Sequence, residues 1–459
     1  MLTCTAIHSE KKEKKKYSTW YGLESRKKVK MKKLTLKNSL SILMIILFSV
    51  ILFAEEMTLQ DIQKRAVESN LTISQLKSKI DAQSLQIKIE QNQKLLQFSL
   101  KSSMLYNTDV PEMNLGLVTK EIGTHERYDY YLQVQQLLWS GKRVSSQIKI
   151  AGLEKENLEL EIKNLEDKVK FRCSQLYYQV LLKQKQAEIT NESISRLDKQ
   201  LIKIRQLYIE KQAIPQDTLD IANKKLELIS VKNDLLNQTK MLLLELKELM
   251  NTNEDIQLKV VLNELSSLNT LAYYQQNALQ QRVEFKQLKT RSDIITKQKD
   301  TIGSASLPQI YAFGELHYAN PGMQQEEGWN PYASTGISFS WTPFDWKSTQ
   351  HKKSQADHSL KHLKLEEQRL KNQINREIEQ LYLNIEFYIQ QSDLLDKLSQ
   401  QEDLRYELTS KKYENQAVNN LDLLEVESRA SEAKIKYEIN QINIKLLYAQ
   451  MAYYCGMEE

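Results

Sequence analysis

Leu137-Leu138-Trp139-Ser140-Gly141-Lys142 ends a strand-like segment and opens about 70 residues, 142 to 211, that contain no proline and one glycine, Gly152. Trp341-Thr342-Pro343-Phe344-Asp345-Trp346-Lys347 opens a second such stretch. With one ungapped offset of 205 positions, Gln175-Leu176-Tyr177 falls on Gln380-Leu381-Tyr382, Ala151 on Ala356, Glu161 on Glu366, Leu165 on Leu370 and Tyr208 on Tyr413. Identity elsewhere in this register is sparse. What repeats is the order of elements, and an internal duplication of this length decides the fold before any motif is weighed.

Apolar spacing makes the long stretches helical. Leu158, Ile162, Leu165, Val169, Leu176 and Val180 form a stripe with mostly three- and four-residue steps, continued by Ile194, Leu197, Leu201, Ile204 and Tyr208. A helix of about 70 residues is about 105 Å long at 1.5 Å per residue, a rod no ordinary globular core requires. Pro215 interrupts the pattern, and a shorter helix returns. The expected first repeat, 55–255, comprises a helix at 58–93, strands at about 95–107 and 127–138, a long helix at 142–211 and a return helix at 216–250. The second, 256–459, comprises a helix at 270–302, strands at about 308–319 and 332–342, a long helix at 345–415 and a return helix at 420–455. Charged residues on the remaining helix faces read as solvated surface.

The strand segments carry a period of two. Phe98, Leu100, Met104 and Tyr106 alternate with Gln97, Ser99, Lys101, Ser103 and Leu105, and Ile337, Phe339 and Trp341 with Ser338 and Ser340. Each is near the 9–11 residues that cross a bilayer as a tilted strand. Lipid tolerates no open sheet edge, and four strands cannot close a barrel, so transmembrane strands here require further copies of the chain. A small soluble sheet capping a coiled coil is the competing reading. Flanking tyrosines and tryptophans, placed as in an interfacial girdle, favour the membrane.

The apolar run from Leu40 to Phe53, preceded by Met31-Lys32-Lys33 and followed by Ala54-Glu55-Glu56, reads as a signal peptide at 31–54 cleaved after Ala54. An uncleaved amino-terminal anchor is the alternative. Residues 1–30 read as an upstream extension, with translation starting at Met31. Removing 1–54 takes 12 of 64 basic and 3 of 59 acidic residues, leaving 52 against 56. The basic balance belongs to the discarded end, so nothing in the charge points to nucleic acid.

No Gly-rich phosphate loop, nucleophile elbow or triad context appears, and no enzyme activity or cofactor is expected. His351, His358 and His362 lie at spacings of seven and four and could share a helix face as metal ligands, but without an accompanying carboxylate motif the favoured reading is ordinary surface histidines near the start of an exposed long helix. The three cysteines are too few for a disulfide scaffold or zinc site. Cys173 and Cys455 could lie at similar height, as two buried thiols or as a disulfide.

A signal peptide, an amino-terminal helix, and two copies of strand, loop, strand, "LLWSGKR" or "TPFDWKS", long helix, "QLYYQV" or "QLYLNI", tip and return helix together resemble the TolC family of outer-membrane efflux proteins. The resemblance covers nearly all of residues 57–456. It implies a mixed, mainly α fold with long antiparallel coiled-coil helices forming a trimeric α-barrel. Four transmembrane strands per protomer would form a shared 12-stranded β-barrel in the outer-membrane lipid. It also implies an exit duct for efflux or type I secretion, without catalysis. Its partners would be a periplasmic adaptor and an inner-membrane efflux pump or ABC transporter. A periplasmic adaptor or a structural coiled coil without a pore is the alternative.

The resemblance further implies a pore constriction at the second tip, where Asp422 and Glu425 take the acidic places. Their spacing of three puts both on one helix face, and two solvated acids at a helix start would look the same locally. The adaptor would meet the tips at Gln212, Ala213, Ile214 and Pro215 and at Gln416, Ala417, Val418 and Asn419. This chain departs from the family in having Gln212 and Gln416 where the tips usually carry glycine. It also has Val418 and Thr218 where a basic and an acidic residue usually lock neighbouring helices, so that lock is expected to be absent or rebuilt.

Overall fold

In a computed structural model, residues 55–457 are described, apart from 115, 117, 122, 260–266 and 324–327. The signal peptide, the cleavage point at Ala54 and the 1–30 extension lie outside the described residues. A small unit comprises residues 55–56 and 254–257, and the body comprises 57–253 and 258–457. Strands β1 (Glu55–Met57) and β6 (Ile256–Leu258) pair in a two-stranded sheet.

The body begins with α1 (Leu59–Ser69) and α2 (Leu71–Asn92). One helix was expected over 58–93, but the chain breaks at Asn70. That residue has an extended backbone, and its side chain accepts the Ile73 N–H at 3.1 Å, capping a new helix. Strands β2 (Gln97–Tyr106), β3 (Glu112–Asn114), β4 (Thr119–Glu121) and β5 (Glu126–Trp139) follow. Next come α3 (Arg143–Ile209) and its return helix α4 (Pro215–Leu249). After β6 the order recurs as α5 (Leu271–Gln281), α6 (Val283–Ser304), β7 (Gln309–Asn320), β8 (Asn330–Ser340), α7 (Ser348–Glu414) and α8 (Asn420–Cys455). The expected helix at 270–302 is also divided. At its break, the guanidinium of Arg282 forms a two-pronged contact with Glu284 at 2.6 and 3.1 Å.

Each long helix has 67 residues, about 100 Å at 1.5 Å per residue. α3 packs on α4, α6, α2 and α8, and α7 on α8, α6 and α5. The repeated Gln-Leu-Tyr motif lies where the long helices are most enclosed. Leu176, Tyr177 and Leu381 are buried, and the Tyr177 hydroxyl donates to the Lys259 carbonyl at 2.6 Å. A core of Tyr274, Ala278, Ile374, Ile378, Leu381, Ile385, Met451 and Cys455 joins α5, α7 and α8. Ala151 and Ala356, also paired by the offset, are both buried.

The strand-to-helix junctions show why Gly141 stands where the second repeat has Trp346. Gly141 has φ +59, and an added Cβ would lie 2.8 Å from the Leu307 Cβ, so glycine is required on two counts. At the second junction, Trp346 and Lys347 have positive φ, and the Asp345 carboxylate accepts the Thr349 N–H at 2.7 Å to start α7. Hydrogen bonds from the Thr349 side chain and backbone hold the Asp345 carboxyl below its ordinary value.

Candidate functional site

Strand register decides what the four long strands present. The antiparallel order is β2-β5-β7-β8, so the sheet joins the two halves of the chain through β5 and β7. Phe98 lies beside Val134, and Leu100 beside Leu132. Leu132 lies beside Leu316, and Ile310 beside Phe339. The period-two alternation of separate strands therefore becomes continuous apolar rows across one face. Phe98, Leu100, Met104, Leu316, Ile337 and Phe339 are 61–80% exposed in the chain. Both edges, β2 and β8, lack a strand partner among the described residues.

The opposite face is polar and internally bonded. Lys101 donates to the Gln133 amide oxygen at 2.7 Å, and the Gln133 amide nitrogen donates to Glu315 at 2.7 Å. Ser334 also donates to Glu315, at 3.2 Å. The His317 ring nitrogens face Asp129 at 3.0 Å and Glu315 at 3.2 Å, and the ring stacks between Tyr131 and Tyr332. These bonds span all four strands, so the polar face is ordered as well as hydrophilic.

Both long helices end at their tips in the same way. Lys211 and Gln416 adopt left-handed φ of 62° and 60°. The next N–H in each tip reaches back five residues, from Gln212 to Leu207 at 2.8 Å and from Ala417 to Lys412 at 2.8 Å. This is a Schellman termination, in which a side-chain-bearing residue accepts roughly 1 kcal/mol of strain. The left-handed position of the first tip is thus Lys211, not Gln212, which corrects the expected tip alignment by one residue. Pro215 begins α4, and the Asp217 carboxylate accepts the Ile214 N–H at 3.2 Å. Asn419 caps α8 by accepting the Asp422 N–H at 2.8 Å.

The tips touch one another. The Gln416 amide donates to the Gln212 amide oxygen at 2.6 Å, and the Asn420 amide donates to the Asp217 carbonyl at 3.2 Å. Beneath them, Leu197, Leu201, Ile204, Leu207, Ile221, Tyr413 and Leu423 form a small core, flanked by Ala213 and Val418. At the tips, the Tyr413 hydroxyl, Thr218 Oγ1 and Asn420 Oδ1 are buried without a hydrogen-bond partner among the described residues. Burial, with Asp217 nearby, pushes the Tyr413 hydroxyl up to about 12.

Comparison with known proteins turns on this arrangement. No family model and no curated protein sequence matches the chain. Solved structures do. The channel CusC superposes with TM-score 0.73 at 10% identity, covering 88% of this chain and 94% of its own. The outer-membrane channel OprN superposes with TM-score 0.71 at 14% identity, with coverages of 87% and 90%. The outer membrane protein VceC of Vibrio cholerae gives 0.70 at 11%, with coverages of 87% and 96%. The fold is that of TolC-type outer-membrane channels.

Within this TolC-type fold, the sequence-derived candidates separate clearly. Asp422 and Glu425 are both exposed on the first turns of α8. Glu425 is not alone, since Arg429 reaches its carboxylate at 2.5 Å. Val418 packs beside the tip core, and Thr218 is enclosed with an unpartnered hydroxyl, so no ion pair forms between these two positions. Tyr208, placed by the sequence on the apolar stripe, is 48% exposed, and Leu207 takes the buried position. His351, His358 and His362 are exposed, and among the described residues no group of three or more His, Cys, Asp or Glu side chains could hold a metal ion. Cys173 and Cys455 are buried, and neither is in a disulfide. Burial pushes the Cys455 thiol up to about 12. No helix among the described residues is long and apolar enough to cross a membrane.

Sequence reasoning missed Arg429 and the Glu432–Lys436 pair, which closes at 2.7 Å. Acid followed by base at a spacing of four was the available signal. It also missed the His317 cluster, because the cluster exists only once β5, β7 and β8 are in register.

Proposed function

We propose that the chain is one third of a homotrimeric outer-membrane exit duct, secreted by a signal peptide at 31–54 and working without catalysis. The observation that carries this reading is the four-stranded sheet, apolar along one face, polar along the other and, among the described residues, unpaired at both edges. In lipid, each unpaired backbone group costs several kcal/mol. Three copies that join β8 of one chain to β2 of the next make a closed barrel of twelve strands and remove every edge.

The helices support the same assembly. α4 exposes Leu219, Leu226, Met241 and Leu244, and α7 exposes Leu383, Phe387, Leu394, Leu398 and Leu404. Apolar stripes of this extent on helices in water call for protein neighbours. Packed around a threefold axis, the two helical hairpins of each chain supply a periplasmic tunnel whose mouth lies at the tips. Asp422 and Glu425 of three chains then ring the axis. Residues 212–215 and 416–419 face the periplasm as the contact for an adaptor, which links the duct to an inner-membrane efflux pump or ABC transporter. The two-half architecture is read as an ancient duplication.

The deciding experiment expresses the full chain in a Gram-negative host, fractionates the membranes and reconstitutes the detergent-extracted protein in planar bilayers. A trimer in the outer-membrane fraction that conducts ions is expected. A protein released from the periplasm without detergent, with no bilayer conductance, would instead identify an adaptor or a structural coiled coil.

A further inference from the structure

The exposed face of α8 carries a charged stripe. Asp422, Glu425, Arg429, Glu432 and Lys436 follow one another at steps of three and four, and each is exposed. Between them, Leu423, Val426, Ala430 and Ala433 are buried. The stripe is therefore the face turned away from the rest of the chain. Arg429 closes on Glu425 at 2.5 Å and Lys436 on Glu432 at 2.7 Å, both one helical turn apart. The hydrogen bond from Lys436 holds the Glu432 carboxyl below its ordinary value. Asp422 has no ion-pair partner among the described residues, and only its backbone N–H is engaged, by Asn419.

Granted the channel reading above, on which this rests, we propose that Arg429 is a specificity-determining residue of the duct. It cancels the charge of Glu425 and leaves Asp422 as the ring that discriminates between ions. In a threefold assembly, the stripe gives three uncompensated carboxylates at the mouth. Above them lie two layers in which three acids and three bases neutralise each other. An exposed pair one turn apart contributes little to stability, so Arg429 matters here for the charge it cancels rather than for folding.

Reversal potentials across a KCl gradient in planar bilayers test this, with the trimer as purified and three variants. Arg429→Gln frees three carboxylates and is expected to raise the K+/Cl− permeability ratio roughly fivefold, a shift within reach of unit charges a few ångströms apart in water. Arg429→Lys keeps the charge and is expected to restore the wild-type ratio. Asp422→Asn is expected to bring the ratio close to one. The difference between Arg429→Gln and wild type should also shrink between 0.1 and 1 M salt, where the screening length falls from about 10 to about 3 Å. Conducting Arg429→Gln trimers with the wild-type reversal potential would overturn the assignment while leaving the channel intact. A wild-type protein that never conducts would remove the channel reading itself.

Discussion

The two return helices begin alike and face different surroundings. α4 and α8 each start at a tip, and each contributes to the same tip core, through Ile221 and Leu423. Their outward faces differ. α4 exposes Leu219 at 59%, Leu226 at 64% and Leu244 at 63%, whereas Leu421 is the only large hydrophobic residue exposed on α8. α8 presents alternating acids and bases instead. One hairpin design thus serves two environments, because the inward face is fixed by packing and the outward face is free to suit its neighbour. In the proposed trimer that neighbour is protein on α4 and water on α8.

Placing a charge on each outward face attacks this contrast most strongly. Leu226→Glu should abolish the proposed trimer, where it would bury a carboxylate at each of three interfaces in place of a side chain contributing roughly 1.5–3 kcal/mol. Ser428→Glu on α8 should leave assembly intact. Size-exclusion chromatography with light scattering in detergent reads both, and a trimeric Leu226→Glu protein would erase the proposed difference. The inward faces should respond equally. Ile221→Ala and Leu423→Ala, each in a fully buried site, should each cost about 2–5 kcal/mol in denaturant unfolding. A loss confined to one of them would show that the tip core is not shared.

The smallest expected effect separates the two tyrosines paired by the repeat. Tyr413 is 6% exposed with an unpartnered hydroxyl, and Tyr208 is 48% exposed. Removing an unsatisfied buried hydroxyl should make Tyr413→Phe about 1 kcal/mol more stable, while Tyr208→Phe should change little. The pH profile gives the sign a second time. Because the Tyr413 value is raised from 10.0 to about 12, the unfolded chain releases this proton first, and stability falls as pH rises from 10 towards 12. Tyr413→Phe should flatten that limb of a thermal-melt series, whereas Tyr208→Phe should not.

Much of the fold was legible because its determinants are local. Absence of proline over some 70 residues and an apolar rhythm of three and four mark α3 and α7, and a period of two marks β2 and β8. The breaks at Asn70 and Arg282 were not legible. An asparagine in a polar helix signals nothing until it caps Ile73, and Arg282 until it grips Glu284. The acids of the candidate site, Asp422 and Glu425, were singled out by the family resemblance, since two acids at a helix start look the same locally as solvated surface. Their inequality was not, because it depends on which side chain Arg429 reaches.

The sequence by itself determined the order of the main elements and the length of the two long helices, since helix and strand periodicity are properties of consecutive residues. Tertiary structure decided the rest. It aligned four alternating strands into one apolar face, put the left-handed tip residue at Lys211, buried Tyr413 while exposing Tyr208, and turned the charged stripe of α8 outward. These outcomes depend on register and on contacts between residues up to about 200 positions apart, which no local pattern specifies.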